Sequence, residues 1–132
     1  MELRFSNSVL FDGWATYRWS EIETIDENGN AVSANKIPYL PQLEGMLKLK
    51  WYFLRNHRLQ ISAQYIGERF DDVANSIELR DHILIGALVN FEITRQVNLR
   101  FFGNNLLDQD HQVYHTYSAP GISGGAGIEI KL

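Results

Sequence analysis

Apolar and polar positions alternate with period two in several runs bounded by turn residues, and no helical periodicity is sustained. In the cleanest run, Leu43, Gly45, Leu47, Leu49, Trp51 and Phe53 share one face while Glu44, Met46, Lys48, Lys50 and Tyr52 share the other. Leu59, Ile61, Ala63 and Tyr65 then oppose Gln60, Ser62 and Gln64, across a short connection that makes the pair antiparallel. A third apolar face, Ile83, Ile85, Ala87, Val89, Phe91 and Ile93, is backed by a face that is only partly polar, because Leu84 and Leu88 stand among His82, Gly86, Asn90 and Glu92. Val97, Leu99, Phe101 and Gly103 alternate with Asn98, Arg100, Phe102 and Asn104. The last run sets Ile122, Ala126, Ile128, Ile130 and Leu132 against Ser123, Glu129 and Lys131. Upstream, Ala15, Tyr17 and Trp19 alternate with Thr16, Arg18 and Ser20, and Leu3 with Phe5 marks the tail of one more strand. The pattern predicts an all-β chain: an antiparallel up-and-down meander of about seven strands.

The connections sort by length. Short ones are expected near Leu10 to Gly13, Arg55 to Arg58 and Thr94 to Gln96, and long ones at about Asp26 to Pro41, Asp71 to Arg80 and Asp108 to Gly121. In a meander, alternate connections fall at opposite ends, so the short turns share one rim and the long loops the other. Transmembrane β-barrels have this arrangement. The strands, read as about 10 to 12 residues, match a tilted bilayer crossing. Trp51, Tyr52 and Phe53 before a short turn, with Tyr65 and Phe70 near a long loop, are candidate interfacial girdles.

Composition narrows the function classes. Zero cysteines exclude disulfide frameworks, thiolate metal sites and cysteine nucleophiles. A net charge of -4 with scattered Lys and Arg gives no footprint for nucleic acid. The most apolar stretch, Ile83 to Val89, is far shorter than the roughly 18 to 20 residues of a spanning helix, so a membrane would be crossed by strands. Met1 to Leu10 carry no secretory signal, which an exported parent would hold upstream.

Four segments resemble one family in identity, order and spacing. They are Ile37-Pro38-Tyr39-Leu40-Pro41, then Gln64-Tyr65-Ile66-Gly67-Glu68-Arg69-Phe70-Asp71-Asp72, then Asn104-Asn105-Leu106-Leu107-Asp108, then Ala119-Pro120-Gly121 opening a final strand. Together they resemble the C-terminal barrel of TonB-dependent receptors, over essentially the whole chain and most firmly from Ile37 onward. The resemblance implies residues 1–132 as one unit of a transmembrane β-barrel in the bacterial outer membrane. The parent would take up scarce nutrients such as ferric siderophores or cobalamin. It further implies as partners the outer-membrane lipid, a plug domain and remaining strands of a barrel of about 22. TonB would act through an N-terminal region, and the barrel-assembly machinery would read the last strand, where Leu132 replaces the family's usual aromatic. Seven strands leave an open edge, so the chain reads as a fragment that aggregates when expressed alone in water.

Candidate chemistry is sparse. Gly121-Ile122-Ser123-Gly124-Gly125 fits the nucleophile-elbow pattern, but an alternating strand follows where a helix is needed, and no acid or histidine lies downstream. The chain therefore reads as no enzyme, with no cofactor. His111 and His115, beside Asp108 and Asp110, have a spacing that converges on a metal only in a helix, and this stretch reads as a loop. Asp26, Asn28 and Asn30 imitate a calcium loop without its glycine or terminal glutamate, and read as a turn. His111, Tyr114, His115 and Tyr117 are the ligand-facing loop candidates. Glu44, Lys48, Lys50, Arg100, Glu129 and Lys131 are expected to face the lumen. The same alternation suits two rivals: a small soluble β-barrel binding an apolar ligand along the Leu43 to Phe53 stripe, and a structural outer-membrane barrel without uptake.

Overall fold

The computed structural model describes residues 2–6, 8–25, 27–54 and 56–131. Asp26 of the calcium-like turn and the terminal Leu132 lie outside the described residues, as do the side chains of Leu3 and Phe5. The strands in chain order are β1 (Glu2–Ser6), β2 (Val9–Tyr17), β3 (Glu21–Ile25), β4 (Ala31–Lys36), β5 (Leu43–Phe53), β6 (His57–Ile66) and β7 (Arg69–Phe70). There follow β8 (Glu78–Leu79), β9 (His82–Glu92), β10 (Val97–Asn104), β11 (Gln112–Tyr114), β12 (Tyr117–Ser118) and β13 (Ser123–Ile130). A seven-stranded antiparallel sheet runs β1-β2-β5-β6-β9-β10-β13, each strand beside its predecessor in that order, which is the meander expected.

Registers are unbroken from β2 to β13, so each face is one continuous surface. One face carries Phe11, Leu47, Leu49, Ile61, Ala63, Ile85, Ala87, Val89, Phe101 and Ile128; the other carries Asp12, Lys48, Lys50, Gln60, Ser62, Asn90, Asn98, Arg100 and Glu129. Leu47 is 67% exposed and Ile128 69%, and the one fully buried large side chain among the described residues, Leu79, lies in a loop. A bare apolar sheet face of this extent marks a surface that is covered by something else, a membrane or further protein. The soluble-barrel rival needed the Leu43 to Phe53 stripe inside a sealed cavity, whereas Leu43, Leu47 and Trp51 are exposed on an open sheet.

Two corrections concern the connections and one the strand lengths. The first short turn joins Ser6 to Val9 rather than lying at Leu10 to Gly13, because Gly13 is mid-strand: a Cβ there would meet Leu47 Cδ2 at 2.6 Å. Its missing side chain is filled by a neighbour. Each long connection (18–42, 67–81 and 105–122) folds its own small hairpin, β3–β4, β7–β8 and β11–β12, where irregular loops were expected. Strand lengths of 8 to 11 residues for β2, β5, β6, β9, β10 and β13 are slightly shorter than anticipated.

Aromatic rings mark the short-turn end of the apolar face. Trp51–Phe53, Phe53–His57, His57–Phe91, Phe53–Phe91 and Phe91–Phe101 have centroids 5.2, 5.6, 5.4, 6.3 and 6.2 Å apart, a band crossing β5, β6, β9 and β10. Tyr65 stands at the other end of β6, bonded through its hydroxyl to Asp81 Oδ2 at 3.2 Å. His57 and Tyr65 are about 27 Å apart along the strand, which barrel tilt reduces to roughly 20 Å of height. Two expected girdle members are elsewhere. Tyr52 is on the polar face opposite Arg58, and Phe70 lies in the loop hairpin under Lys36.

Candidate functional site at the long-loop rim and on the polar face

The rim is built on the second long loop. Gly67 N–H donates to Leu43 O at 2.9 Å, and a Cβ on Gly67 would meet that oxygen at 2.6 Å, so the strand end can approach only without a side chain. Beyond it, Phe70 O accepts from Tyr39 N–H at 2.7 Å. Asp72 closes the loop on itself, accepting from Ser76 N–H, Ser76 Oγ and Ile77 N–H at 2.7 to 3.2 Å. These bonds to Ile77 and Ser76 hold its carboxyl below the usual carboxylate range. Asn75, with φ of 55°, accepts from Lys36 N–H at 2.6 Å and donates to Lys36 O at 2.9 Å, tying the first loop to the second. Lys36 Nζ reaches Glu68 Oε1 at 3.0 Å and lies 5.3 Å from the Phe70 ring centre.

The third loop is fastened to both. Asn105 is buried with φ of 48°, a conformation asparagine tolerates. It accepts from Gln109 N–H at 3.0 Å and donates to Gln109 O at 3.0 Å and Pro120 O at 3.4 Å. Asp108 Oδ1 accepts from Ile122 N–H at 2.9 Å, where the loop enters β13. Buried Arg69 donates from Nη2 to Gln112 O at 2.8 Å; its Nη1 is buried without a partner among the described residues, and burial pulls its pKa down. His82, 3% exposed, stacks on His111 at 4.4 Å between centroids. Tyr39 meets Tyr114 edge-on at 5.3 Å. The Tyr39 hydroxyl hydrogen-bonds Asp71, which raises its pKa.

Of the four ligand-loop candidates, the structure brings Tyr114 and His115 to the seam between loops, Tyr114 by its ring and His115 by its backbone N–H. Tyr117 is 70% exposed on β12. His111 turns into the rim, stacked on His82 with Nδ1 3.1 Å from Gln109 O. Among the described residues no group of three or more His, Cys, Asp or Glu side chains is arranged to hold a metal ion. Arg69, which ties the second loop to the third, Asn105, which closes the third on itself, and His82, stacked on His111, were not singled out from the sequence as site residues. Arg69 and Asn105 lay inside recognised motifs, and burial of a polar residue has no local sequence signal.

Glu44, Lys48, Lys50, Arg100 and Glu129 share the polar face, and Lys131 follows β13 with its N–H on Gln96 O at 2.8 Å. Glu44 pairs with Arg18 at 2.6 Å, and Lys48 stands opposite Asp12. Toward the short turns, Tyr52, Arg58, Asn90 and Arg100 form one row across four strands, with Glu92, Asn98 and Glu129 in the next. All of these but Glu92 line a groove of about 680 Å³. The polar face is not uniformly polar: Trp14, Met46, Leu84, Leu88 and Phe102 interrupt it, and the Phe102 ring lies over Gly125, where a Cβ would sit 2.8 Å from Cζ.

No family model matches the chain. The vitamin B12 transporter BtuB of Photobacterium profundum is 31% identical over 72 residues, which are 52% of this chain and 12% of that protein. The siderophore receptor PiuA from Acinetobacter baumannii superposes with a TM-score of 0.82 over 98% of this chain and 20% of its own, at 19% identity. This chain has the barrel-wall fold of the TonB-dependent receptors. The ferric yersiniabactin uptake receptor FyuA from Yersinia pestis gives 0.70 over 98% of this wall and 22% of its own chain at 15% identity, and the ferric-catecholate import receptor Fiu from E. coli K12 gives 0.72 over 94% and 19% at 14%. The receptor-type wall seen here thus spans about a fifth of the length of the solved receptors it matches. In it, the Gly67-Glu68-Arg69-Phe70-Asp71-Asp72 and Asn104-Asn105-Leu106-Leu107-Asp108 segments are the ones that knit the rim.

Proposed function

We propose that residues 1–132 form, as one unit, the C-terminal wall of an outer-membrane TonB-dependent uptake receptor. The apolar face meets lipid, the polar face meets the lumen, and the three long loops are extracellular. The observation that carries this is the joint sorting of faces and loops: an exposed apolar face with an aromatic band, a charged opposite face, and every long connection at one rim. A bilayer would cover that apolar face while the paired strands satisfy their backbone groups. The similarity to siderophore and vitamin B12 receptors supports nutrient uptake by the parent rather than catalysis. Glu44, Lys48, Lys50, Arg100, Glu129 and Lys131 then border the lumen. Tyr114, His115 and Tyr117 sit where an arriving ligand meets the rim, while His111 supports them from below. The remaining strands of the barrel, a plug, TonB and the barrel-assembly machinery are the partners this reading calls for.

Single cysteines at Ile61 and Gln60, neighbours on β6 with opposite faces, test the orientation. In lipid vesicles, a fluorophore at 61 is expected to be quenched by lipid-borne bromine and one at 60 by aqueous iodide. The reverse pattern sinks the proposal.

A further inference from the structure

We infer that the stacked imidazoles of His82 and His111 form a proton-operated latch, which releases the third long loop from the rim as the surroundings acidify. The rings lie 4.4 Å apart between centroids and 30° from parallel, with His82 3% exposed at the head of β9. Each ring is oriented by its own chain. His82 Nδ1 lies 3.4 Å from Arg80 O and His111 Nδ1 lies 3.1 Å from Gln109 O, in both cases the carbonyl two residues back. A carbonyl oxygen can only accept, so each Nδ1 carries the hydrogen and each Nε2 is the bare nitrogen that takes the next proton.

The neighbours of His82 oppose that proton while the loop is closed. The charged or titratable groups acting on it are Arg69 from β7, Asp81 beside it in the chain and His111 from the third loop. Arg69 has no ion pair among the described residues, and its Nη1 has no partner there, so its charge stands unneutralised. Asp81, the one acid of the set, is already bonded by the Tyr65 hydroxyl at 3.2 Å. The Arg80 carbonyl favours a charged ring, but at 3.4 Å it does so weakly. An imidazolium at this depth loses its hydration and faces a guanidinium. His111 also borders a hollow of about 260 Å³ lined by Glu78, Arg80, Asp81, Asp110 and Gln112, where three carboxylates can receive its ring once the stack parts.

The loop's two attachments here are adjacent in sequence: the stack at His111 and the bond from Arg69 Nη2 to Gln112 O at 2.8 Å. A charge on His82 works against both, because it desolvates beneath the first and repels the guanidinium that makes the second. Moving the loop away returns His82 to water. A group kept neutral in the closed state and protonated in the open one contributes closure that is complete above its ordinary value and is lost as pH falls through its closed-state value. The latch therefore yields at higher pH than the Asp71 and Asp72 carboxylates. Tyr114, His115 and Tyr117 ride on the released segment, so acid alters the surface offered to a ligand. That consequence rests on the receptor reading, whereas the latch itself does not.

The test uses the full 132-residue chain folded in zwitterionic detergent micelles. Hydrogen exchange resolved by segment is compared at about pH 7.5 and about pH 4.5, each corrected for the intrinsic amide rate at that pH. Protection of the 111–118 amides is expected to fall about tenfold or more at the lower pH, with β5 and β6 unchanged. The His82→Phe/His111→Phe double variant keeps two stacked rings that cannot take a proton, and its loop should stay equally protected at both values. His82→Gln, neutral throughout, repeats the comparison if the double variant misfolds, as read by β-sheet circular dichroism, and should also lose the response. His115→Gln, on the same loop outside the stack, should keep it. Equal protection of the unsubstituted chain at the two pH values, the same loosening in the double Phe or Gln variant, or loss of protection throughout the sheet overturns the inference. Failure of the lipid orientation is read separately, from quenching at residues 60 and 61.

Discussion

Asp71 Oδ1 accepts a hydrogen bond from the backbone N–H of His115 at 3.0 Å, joining the second long loop to the tip of the third. That bond, followed by the one from Tyr39, holds the Asp71 carboxyl below its ordinary range, and Asp72 is held down in the same way by Ile77 and Ser76. A depressed carboxylate contributes stability that is complete above its unfolded value and is lost as pH falls through its folded one. The Tyr39 hydroxyl is shifted up, so its contribution is complete below the unfolded tyrosine value and is lost as pH rises through the folded one. The rim is therefore expected to be tightest between about pH 5 and 9. Protection of the 105–122 backbone against limited proteolysis, measured in detergent with an acid-active and a neutral protease, should fall below about pH 4. Unchanged protection down to pH 2.5 contradicts the role given to these carboxylates.

Arg69 is buried and holds Gln112 O through Nη2. Arg69→Lys keeps the charge but not the fork, and a compact ammonium desolvates less readily at this depth. The expected cost is about 1 to 3 kcal/mol of local stability, concentrated in the β11–β12 hairpin rather than the sheet. Hydrogen exchange resolved by segment should show faster exchange at 111–118 and unchanged exchange in β5 and β6. Uniform acceleration everywhere would falsify the assignment of Arg69 as a clamp on one loop.

The sheet was legible because barrel strands repeat one simple signal: side chains alternate, and neither face is interrupted long enough to hide the period. Gly13 shows where that signal misleads. Glycine reads as a turn, yet here it makes room for Leu47 across the strand pair, a contact visible only once β2 and β5 are in register. The small loop hairpins left a faint trace, since Glu21–Ile25 and Ala31–Lys36 are strand-compatible and lie either side of Asn28-Gly29-Asn30. At the rim, Asn105 and Asp108 were recognised as motif letters without their task, because satisfying backbone groups 4 and 14 positions away is settled by the folded loop. His82 gave no sign of burial because its partner, His111, is distant in sequence and brought close only by the third loop.

Charge substitutions separate the two faces energetically. Ile61→Lys places an ammonium mid-strand on the apolar face and is expected to cost about 2 to 4 kcal/mol of folding stability in bilayers. Gln60→Lys, one residue away on the polar face, should stay within about 0.5 kcal/mol. Urea titration of vesicle-folded protein, followed by tryptophan emission, compares them under one condition. Equal costs at the two positions would remove the case for a lipid-facing apolar surface.

Thr116 has φ of 68°, in the two-residue turn between β11 and β12. A β-branched residue is poorly suited to the left-handed region, and such strain typically costs of order 1 kcal/mol or more. Thr116→Gly removes the Cβ conflict, while glycine gives back part of the gain through a freer unfolded chain, so a net stabilisation of about 0.5 to 1 kcal/mol is expected. The gain should appear as slower exchange of the Gln112 and Tyr114 amides in the full chain, with Tyr117 and Ser118 following. Because the strained tip lies next to Tyr114 and His115, a rigidified turn also probes the proposed role in uptake. If the strain serves ligand entry, the same substitution in the parent receptor lowers uptake while raising loop protection. Raised protection with unchanged uptake assigns the strain to folding alone.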